Sequence, residues 1–72
     1  MGEIKAPITG NVWKVLVEVG DVVEVDQMVA ILESMKLEIP VESEVAGTVT
    51  AVHFQPDDVV TEGDAMFSVL VP

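Results

Sequence analysis

Lys36 is the residue whose type and surroundings most clearly suggest chemistry. It stands in the run Glu33-Ser34-Met35-Lys36-Leu37-Glu38. A lysine amine is a nucleophile that can form a covalent bond to an electrophilic carbon. Its neighbours Met35 and Leu37 are apolar, although this segment should form an exposed turn. Exposed apolar side chains around one reactive group indicate a surface that another molecule contacts.

The other candidate residues favour structural roles. His53 has no second histidine or cysteine as a partner, so we interpret it as structural. The acidic segments 57–58 and 62–64 lack the spacing of an EF-hand calcium loop and are interpreted as turns. Trp13 could be a binding platform, but in so small a core we expect it to be a packing residue. The sequence predicts no metal site and no catalytic set of Ser, His and Asp, and the absence of Cys excludes thiolate chemistry.

Composition favours a small all-β domain. The chain has 72 residues, half of them hydrophobic, with 16 Val and 4 Ile against 4 Leu. Branched side chains suit the pleated surface of a strand better than a helix. A chain of this length is typical of a single domain, which we place over residues 1–72.

Charge and hydropathy limit the possible partners and the location. The net charge is −10 and the chain has no Arg, so nucleic acid and anionic membrane surfaces are disfavoured, because both attract cationic proteins. The longest apolar run, Met28 to Leu32, is far shorter than the ~20 residues that span a bilayer. The N-terminus does not resemble a signal peptide. We therefore expect a cytoplasmic protein.

The sequence contains two copies of one pattern. A shift of 37 residues lays Gly10 over Gly47 and the segment Asp21-Val22-Val23 over Asp58-Val59-Val60. The glycine and aspartate pairs carry the most weight, because they fall where turns are expected. The repeat predicts two similar halves, each built of short strands.

The strands predicted from the pattern are short and evenly spaced. They are separated by turns at Gly20-Asp21, at 56–58 and at 62–64. Such spacing is typical of a small sandwich or barrel. The predicted strands cover 12–17, 22–23, 28–33, 47–54, 59–60 and 65–71.

Lys36 is predicted to lie at the tip of a hairpin between the two copies. After Lys36 the chain alternates, with Leu37, Ile39 and Val41 on one face and polar residues or proline on the other. The apolar strand that ends at Leu32 must reverse to pair with this segment. We expect a turn of type I at Met35-Lys36, because most residues can adopt that type.

At these residues the sequence resembles the biotinyl/lipoyl attachment domain family, over about residues 3 to 71. The run from Glu33 to Leu37 is similar to the family's biotin motif, usually Glu-Ala-Met-Lys-Met, and Gly10 and the turns at 19–21 and 62–64 match the family's turn positions. The resemblance implies a flattened barrel or sandwich of two four-stranded antiparallel sheets with pseudo-two-fold symmetry. The departures are mild, with Ser34 in place of Ala and Leu37 in place of Met.

The resemblance also implies a function without catalysis. Lys36 would carry biotin after modification by a biotin protein ligase, with Met35, Leu37 and Glu33 as flanking site residues. The biotin would move carboxyl groups between the biotin carboxylase and carboxyltransferase components of an enzyme, and the carrier is expected to be a monomer. Three alternatives stay open. The same fold could carry lipoate or accept both cofactors, it could be an unmodified interaction module, and the carrier could be free-standing or part of a larger carboxylase.

Overall fold

Eight β-strands make up the fold in a computed structural model, which describes residues 2–72. The described residues form no helix, and 11 of the 16 valines lie in strands. The strands are β1 (Gly2–Lys5), β2 (Gly10–Val15), β3 (Val22–Val23), β4 (Met28–Ser34), β5 (Leu37–Glu42), β6 (Gly47–Val52), β7 (Val59–Val60) and β8 (Ala65–Leu70).

The strands form two antiparallel sheets of four. One has the order β5-β4-β2-β7 and is called the hairpin sheet below, because β4 and β5 are joined through Met35-Lys36. The other has the order β1-β8-β6-β3 and is called the terminal sheet. The shift of 37 residues carries β1 to β4 onto β5 to β8 and so exchanges the two sheets. The predicted all-β architecture with pseudo-two-fold symmetry is confirmed.

The symmetry extends to individual irregularities of the backbone. The register between β2 and β4 shifts between Val12 and Lys14, and the register between β6 and β8 shifts between Val49 and Ala51. Each shift adds one residue to one strand and bends it locally. The two positions are related by the 37-residue shift. The strands β2 and β6 therefore bend at equivalent places.

The predicted turns are closed by side chains. The carboxylate of Asp21 accepts a hydrogen bond from the Glu18 amide, and that of Asp58 accepts one from the Gln55 amide, both at 2.8 Å. Asp64 accepts a bond from the Thr61 amide in the same way. Aspartate stabilises turns by bonding to nearby backbone amides. The interpretation of the acidic segments as turns is therefore confirmed.

The core lies between the inner faces of the two sheets. Alternation along each strand turns one set of branched side chains inward, where water is excluded. The fully buried side chains of largest volume are Phe67, Ile4, Leu32 and Met66, surrounded by buried valines. The buried hydrophobic residues are Ile4, Ala6, Val12, Val17, Val23, Val29, Ala30, Leu32, Val41, Val49, Val60, Met66, Phe67 and Val69.

The strand predictions were wrong in two respects. β1 was not predicted, because Gly2–Lys5 is too short to show an alternating pattern and is recognised only through its pairing with β8. The strand predicted over 12–17 instead spans Gly10–Val15, and the strand predicted over 47–54 begins at Gly47 as expected but ends at Val52.

The expected place of Trp13 was also wrong. Trp13 is 41% exposed instead of packed in the core. The extra residue at the bend of β2 turns Trp13 outward beside Lys14, whose ammonium nitrogen lies 4.5 Å from the centroid of the indole ring. This distance is typical of a cation–π contact. Trp13 is therefore a surface residue of the hairpin sheet.

Over residues 2–72 the chain has no helix of the length and hydropathy needed to cross a membrane.

Gly47 provides a test of the close approach between β6 and β8. Gly47 is buried, and a Cβ atom at this position would clash with the carbonyl oxygen of Leu70 and lie 2.8 Å from a methyl group of Val69. Gly47→Ala should lower the free energy of unfolding by about 1–3 kcal/mol, the usual effect of overpacking a core. Urea unfolding measures the change.

The matched control for this prediction is Thr50→Ala on the exposed side of the same strand. It should change the free energy of unfolding by less than about 0.5 kcal/mol. A Gly47→Ala variant as stable as the wild type would show that β6 and β8 do not approach as closely as described.

Candidate functional site

The hairpin between β4 and β5 places Lys36 in a turn of two residues. Ser34 pairs with Leu37, so that only Met35 and Lys36 lie between the paired strands. Their φ angles are 51° and 67°. Positive φ at both central residues is characteristic of a type I′ turn, whose twist matches that of the flanking strands. The expectation of a type I turn was wrong, because a type I turn would splay the two strands.

The side chains of the tip point away from the protein. Lys36 is exposed, Met35 is 93% exposed and Leu37 is 63% exposed. Burial increases along β5 away from the tip, since Ile39 is half-buried and Val41 is fully buried. The predicted inward face of β5 therefore exists only in its second half, because the hairpin extends beyond the core. An amine with large apolar neighbours is thus presented to solvent.

Two carboxylates lie directly opposite each other at the base of the tip. Glu33 on β4 pairs with Glu38 on β5, and both side chains are exposed. Asn11 pairs with Glu33 on the other side. Like charges opposite each other in a sheet are unfavourable for stability. The hairpin therefore carries two adjacent negative charges just below Lys36, and this pair does not stabilise the fold.

Gly10 supports the base of the hairpin from β2. A Cβ atom at Gly10 would lie 2.8 Å from the carbonyl oxygen of Glu33 and 3.4 Å from the Cβ atom of Ser34. Such proximity is possible only for a residue without a side chain. The start of β2 therefore lies directly against the last residues of β4.

The register places Gly2 and Val69 at the end of the domain opposite Lys36. β2 starts beside the hairpin base at Gly10 and runs six residues, or about 20 Å, away from it. The turn after β2 then bonds to the terminal sheet, since the Gly20 amide donates to the Val49 carbonyl. Val49 pairs with Val69, which pairs with Gly2 on its other side. The first and last strands therefore leave the space around the Lys36 tip open.

The remaining candidates do not join this site. His53 follows β6 on the terminal sheet, where it is exposed and its Nε2 lies 2.8 Å from the Ser68 hydroxyl. Within residues 2–72 no group of His, Asp and Glu side chains is arranged to hold a metal ion. Lys36 and His53 thus belong to different sheets, and the sequence pattern gave no sign that Trp13 lies on the outer face of the sheet that carries Lys36.

Comparison with protein families gives one match over nearly the whole chain. The family model described as "Biotin-requiring enzyme", which covers biotin and lipoyl attachment domains, matches residues 2–69. A solved structure titled as the urea carboxylase of Kluyveromyces lactis superposes with a TM-score of 0.88 at 32% identity, covering 96% of this chain and 6% of that protein.

Similar proteins carry the names of both cofactors. The biotin/lipoyl attachment protein of Bacillus subtilis is 46% identical over 63 residues, which cover 88% of this chain and 86% of that protein. The biotin carboxyl carrier protein of Streptococcus mutans is 42% identical over 64 residues, covering 89% of this chain and 49% of that protein. The yeast dihydrolipoyllysine-residue succinyltransferase component is 38% identical over 60 residues, covering 83% of this chain and 13% of that protein.

The left-handed turn predicts that the tip is not optimised for stability. A left-handed backbone costs about 1–2 kcal/mol for a residue other than glycine, and asparagine tolerates it best. Met35→Asn should therefore raise the free energy of unfolding by about 0.5–1 kcal/mol, as measured in urea.

Met35→Leu is the control, because it keeps an apolar side chain and does not favour the left-handed conformation. Its effect should stay within about 0.5 kcal/mol. Equal stability of the two variants would contradict a strained type I′ tip.

Proposed function

The chain belongs to the biotin/lipoyl attachment domain family, and on this premise we propose that it is a biotin carrier that a biotin protein ligase modifies at Lys36. The observation that carries the proposal is the exposed two-residue turn with Lys36 between Met35 and Leu37. An attached group at this position extends into solvent, and the surrounding fold leaves space for it. Domains of this family are carriers without catalytic activity of their own.

The loading reaction is an acyl transfer to the lysine. The Nζ atom of Lys36 attacks the carboxyl carbon of a biotinyl-adenylate held by the ligase. A C–N bond forms, the bond between that carbon and the adenylate oxygen breaks, AMP leaves, and the nitrogen gives up its proton within the ligase. The chain's contribution is to present the amine on a rigid hairpin, so that little backbone freedom is lost when the ligase binds.

After loading, the carrier acts as a tether. Biotin supplies a ring nitrogen that accepts a carboxyl group at one active site and gives it up at another. The domain keeps this group near both sites, which raises its effective concentration. The partners proposed here are therefore the biotin carboxylase and carboxyltransferase components of a carboxylase, as the names of the carboxylase and carrier relatives suggest.

The flanks of Lys36 favour biotin over lipoate. Lipoyl domains resemble this chain in fold, but their motif typically has Asp before the lysine and a small residue after it. Met35 and Leu37 are large and apolar, and both are exposed where a ligase would contact them. An Asp at the first position would place a charge in a contact that a biotin ligase makes with an apolar residue, which is unfavourable without a partner. Lipoylation is the second candidate, supported by the similarity to the yeast succinyltransferase component.

Lys36→Arg tests the attachment site. The variant should show no mass increase after incubation with biotin, ATP and biotin protein ligase, whereas the wild type should gain one biotinyl group. Its thermal midpoint should match that of the wild type, because an exposed charged residue contributes less than about 0.5 kcal/mol to folding. The measurements are intact mass spectrometry and circular dichroism.

Lys5→Arg is the matched control, because it changes a second exposed lysine in the same way, on the terminal sheet. It should label as well as the wild type. Labelling that persists in Lys36→Arg and disappears in Lys5→Arg would show that biotin is attached to β1 instead of to the hairpin tip.

Competition between the two ligases tests the choice of cofactor. With matched amounts of biotin protein ligase and lipoate ligase, each with its cofactor and ATP, the wild type should be biotinylated faster. Met35→Asp should shift the ratio of products towards lipoyl-lysine, because it introduces the residue typical of lipoyl motifs. The ratio is read from the intact masses. Faster lipoylation of the wild type would make the chain a lipoyl carrier.

A further inference from the structure

The pseudo-two-fold symmetry allows the outer faces of the two sheets to be compared position by position. Five outward positions on the hairpin sheet or directly after its strand β2 are apolar, while their counterparts 37 residues away on the terminal sheet or directly after β6 are small, polar or charged. These five residues, called the apolar face, are paired with their counterparts as follows: Trp13 with Thr50, Leu16 with His53, Met28 with Ala65, Ile31 with Ser68, and Pro40 with Glu3.

The counterparts occupy the same places in the fold. Ile31 pairs with Lys14 and Pro40, and Ser68 pairs with Ala51 and Glu3 in the same register. The scaffold thus accepts polar residues at these positions, so that folding does not require the apolar ones. Yet Trp13, Leu16 and Met28 are 41%, 48% and 46% exposed, which leaves a large apolar area in water. Exposed apolar patches on soluble proteins indicate contact surfaces.

The apolar face adjoins the site. Met28, Ile31 and Pro40 line a shallow groove of about 160 Å³ together with Glu38, which belongs to the base of the Lys36 hairpin. Glu33 and Glu42 are exposed on the same outward side of β4 and β5. The apolar face is therefore bordered by carboxylates and connects directly to the tip.

The size of the tip indicates why a further surface is needed. Specific protein–protein interfaces bury about 800 Å² on each partner, from some 20–30 residues. Met35, Lys36 and Leu37 are too few to supply such an area. Any protein that takes Lys36 into its active site must therefore contact more of the domain. The outer face of the hairpin sheet adjoins the tip and is accessible, whereas its inner face is buried in the core.

We propose that the apolar face is a docking surface for the protein ligase that loads Lys36. The inference rests on the proposed function and adds the surface on which the ligase binds. The complementary ligase surface has an apolar centre that covers Trp13 and Ile31, and a border of Lys or Arg facing Glu33, Glu38 and Glu42. A second copy of the chain does not fit, because it carries the same carboxylates and a net charge of −10.

The test transfers residues from the terminal sheet to the hairpin sheet. The triple variant Trp13→Thr, Met28→Ala and Ile31→Ser takes residues that already occupy the equivalent positions and leaves the net charge unchanged. The reciprocal triple variant Thr50→Trp, Ala65→Met and Ser68→Ile is the matched control, since it places the same side chains on the other face. Biotinylation rates are measured for each against protein concentration, with biotin protein ligase, biotin and ATP.

We expect KM for the first triple variant to rise about tenfold or more, because the variant removes large side chains that anchor the interface. Its kcat should stay within about twofold of the wild-type value. The control should keep the wild-type KM. The inference is overturned if KM of the first variant stays within twofold of the wild type, if only kcat falls, or if the control loses as much. A wild-type chain that is not biotinylated at all would instead refute the proposed function, and the inference with it.

A second measurement remains informative even if the triple variant folds poorly. Trp13 is the chain's single tryptophan, so its indole N–H gives one resonance in a nitrogen-15 spectrum. In Lys36→Arg, which cannot be loaded, this resonance should shift or broaden when ligase is added. The Ser68 amide on the opposite sheet should not change. An unchanged indole resonance under conditions that shift the Lys36→Arg tip amides would overturn the docking surface.

Discussion

The fold depends on the exchange of strands between its two halves. The hairpin sheet takes β2 and β4 from the first repeat and β5 and β7 from the second, and the terminal sheet takes the complementary set. Each half alone would expose an apolar sheet face and an unpaired strand edge, both of which are unfavourable in water. Gly10 and Gly47 start β2 and β6, one inner strand of each sheet, beside the neighbouring backbone, where a side chain would not fit. The Lys36 hairpin is held by this exchange, since its β4 strand lies between strands of both repeats.

The tip itself follows a different requirement. An Asn-Gly turn would suit the positive φ angles of Met35 and Lys36, and separated charges would suit the sheet better than the pair Glu33 and Glu38. Stability alone explains none of these choices. Natural proteins retain such local disadvantages where a binding or reactive site requires particular side chains. The local disadvantages of this chain gather around one lysine, which is the pattern expected of a site that another protein reads.

Much of the architecture could be predicted from the sequence, because each turn and strand pattern occurs in both copies of the repeat. Turns marked by Asp21 and Asp58 were recognisable from residue type, and the position of Lys36 followed from the reversal between two apolar strands. What escaped prediction depends on geometry that sequence patterns do not carry. The bulge in β2 turns Trp13 outward by adding one residue to the strand. The turn type at Met35 is set by the twist of the paired strands, against the preference of the residue itself.

Comparing equivalent positions of the two repeats distinguishes residues that folding requires from residues that function requires. Two positions related by the two-fold axis have equivalent partners in the sheet register, and the bulges and turn hydrogen bonds around them are also equivalent. The structural requirements on the two residues are therefore nearly the same. Where the residues agree, as in Gly10 and Gly47, the reason lies in packing. Where they differ in chemical class without a packing reason, as in Ile31 and Ser68, the cause must lie outside the scaffold. At the five positions of the apolar face the hairpin sheet has apolar residues where the terminal sheet has small, polar or charged ones. These positions lie next to a reactive amine, and a protein partner at that face accounts for both features together.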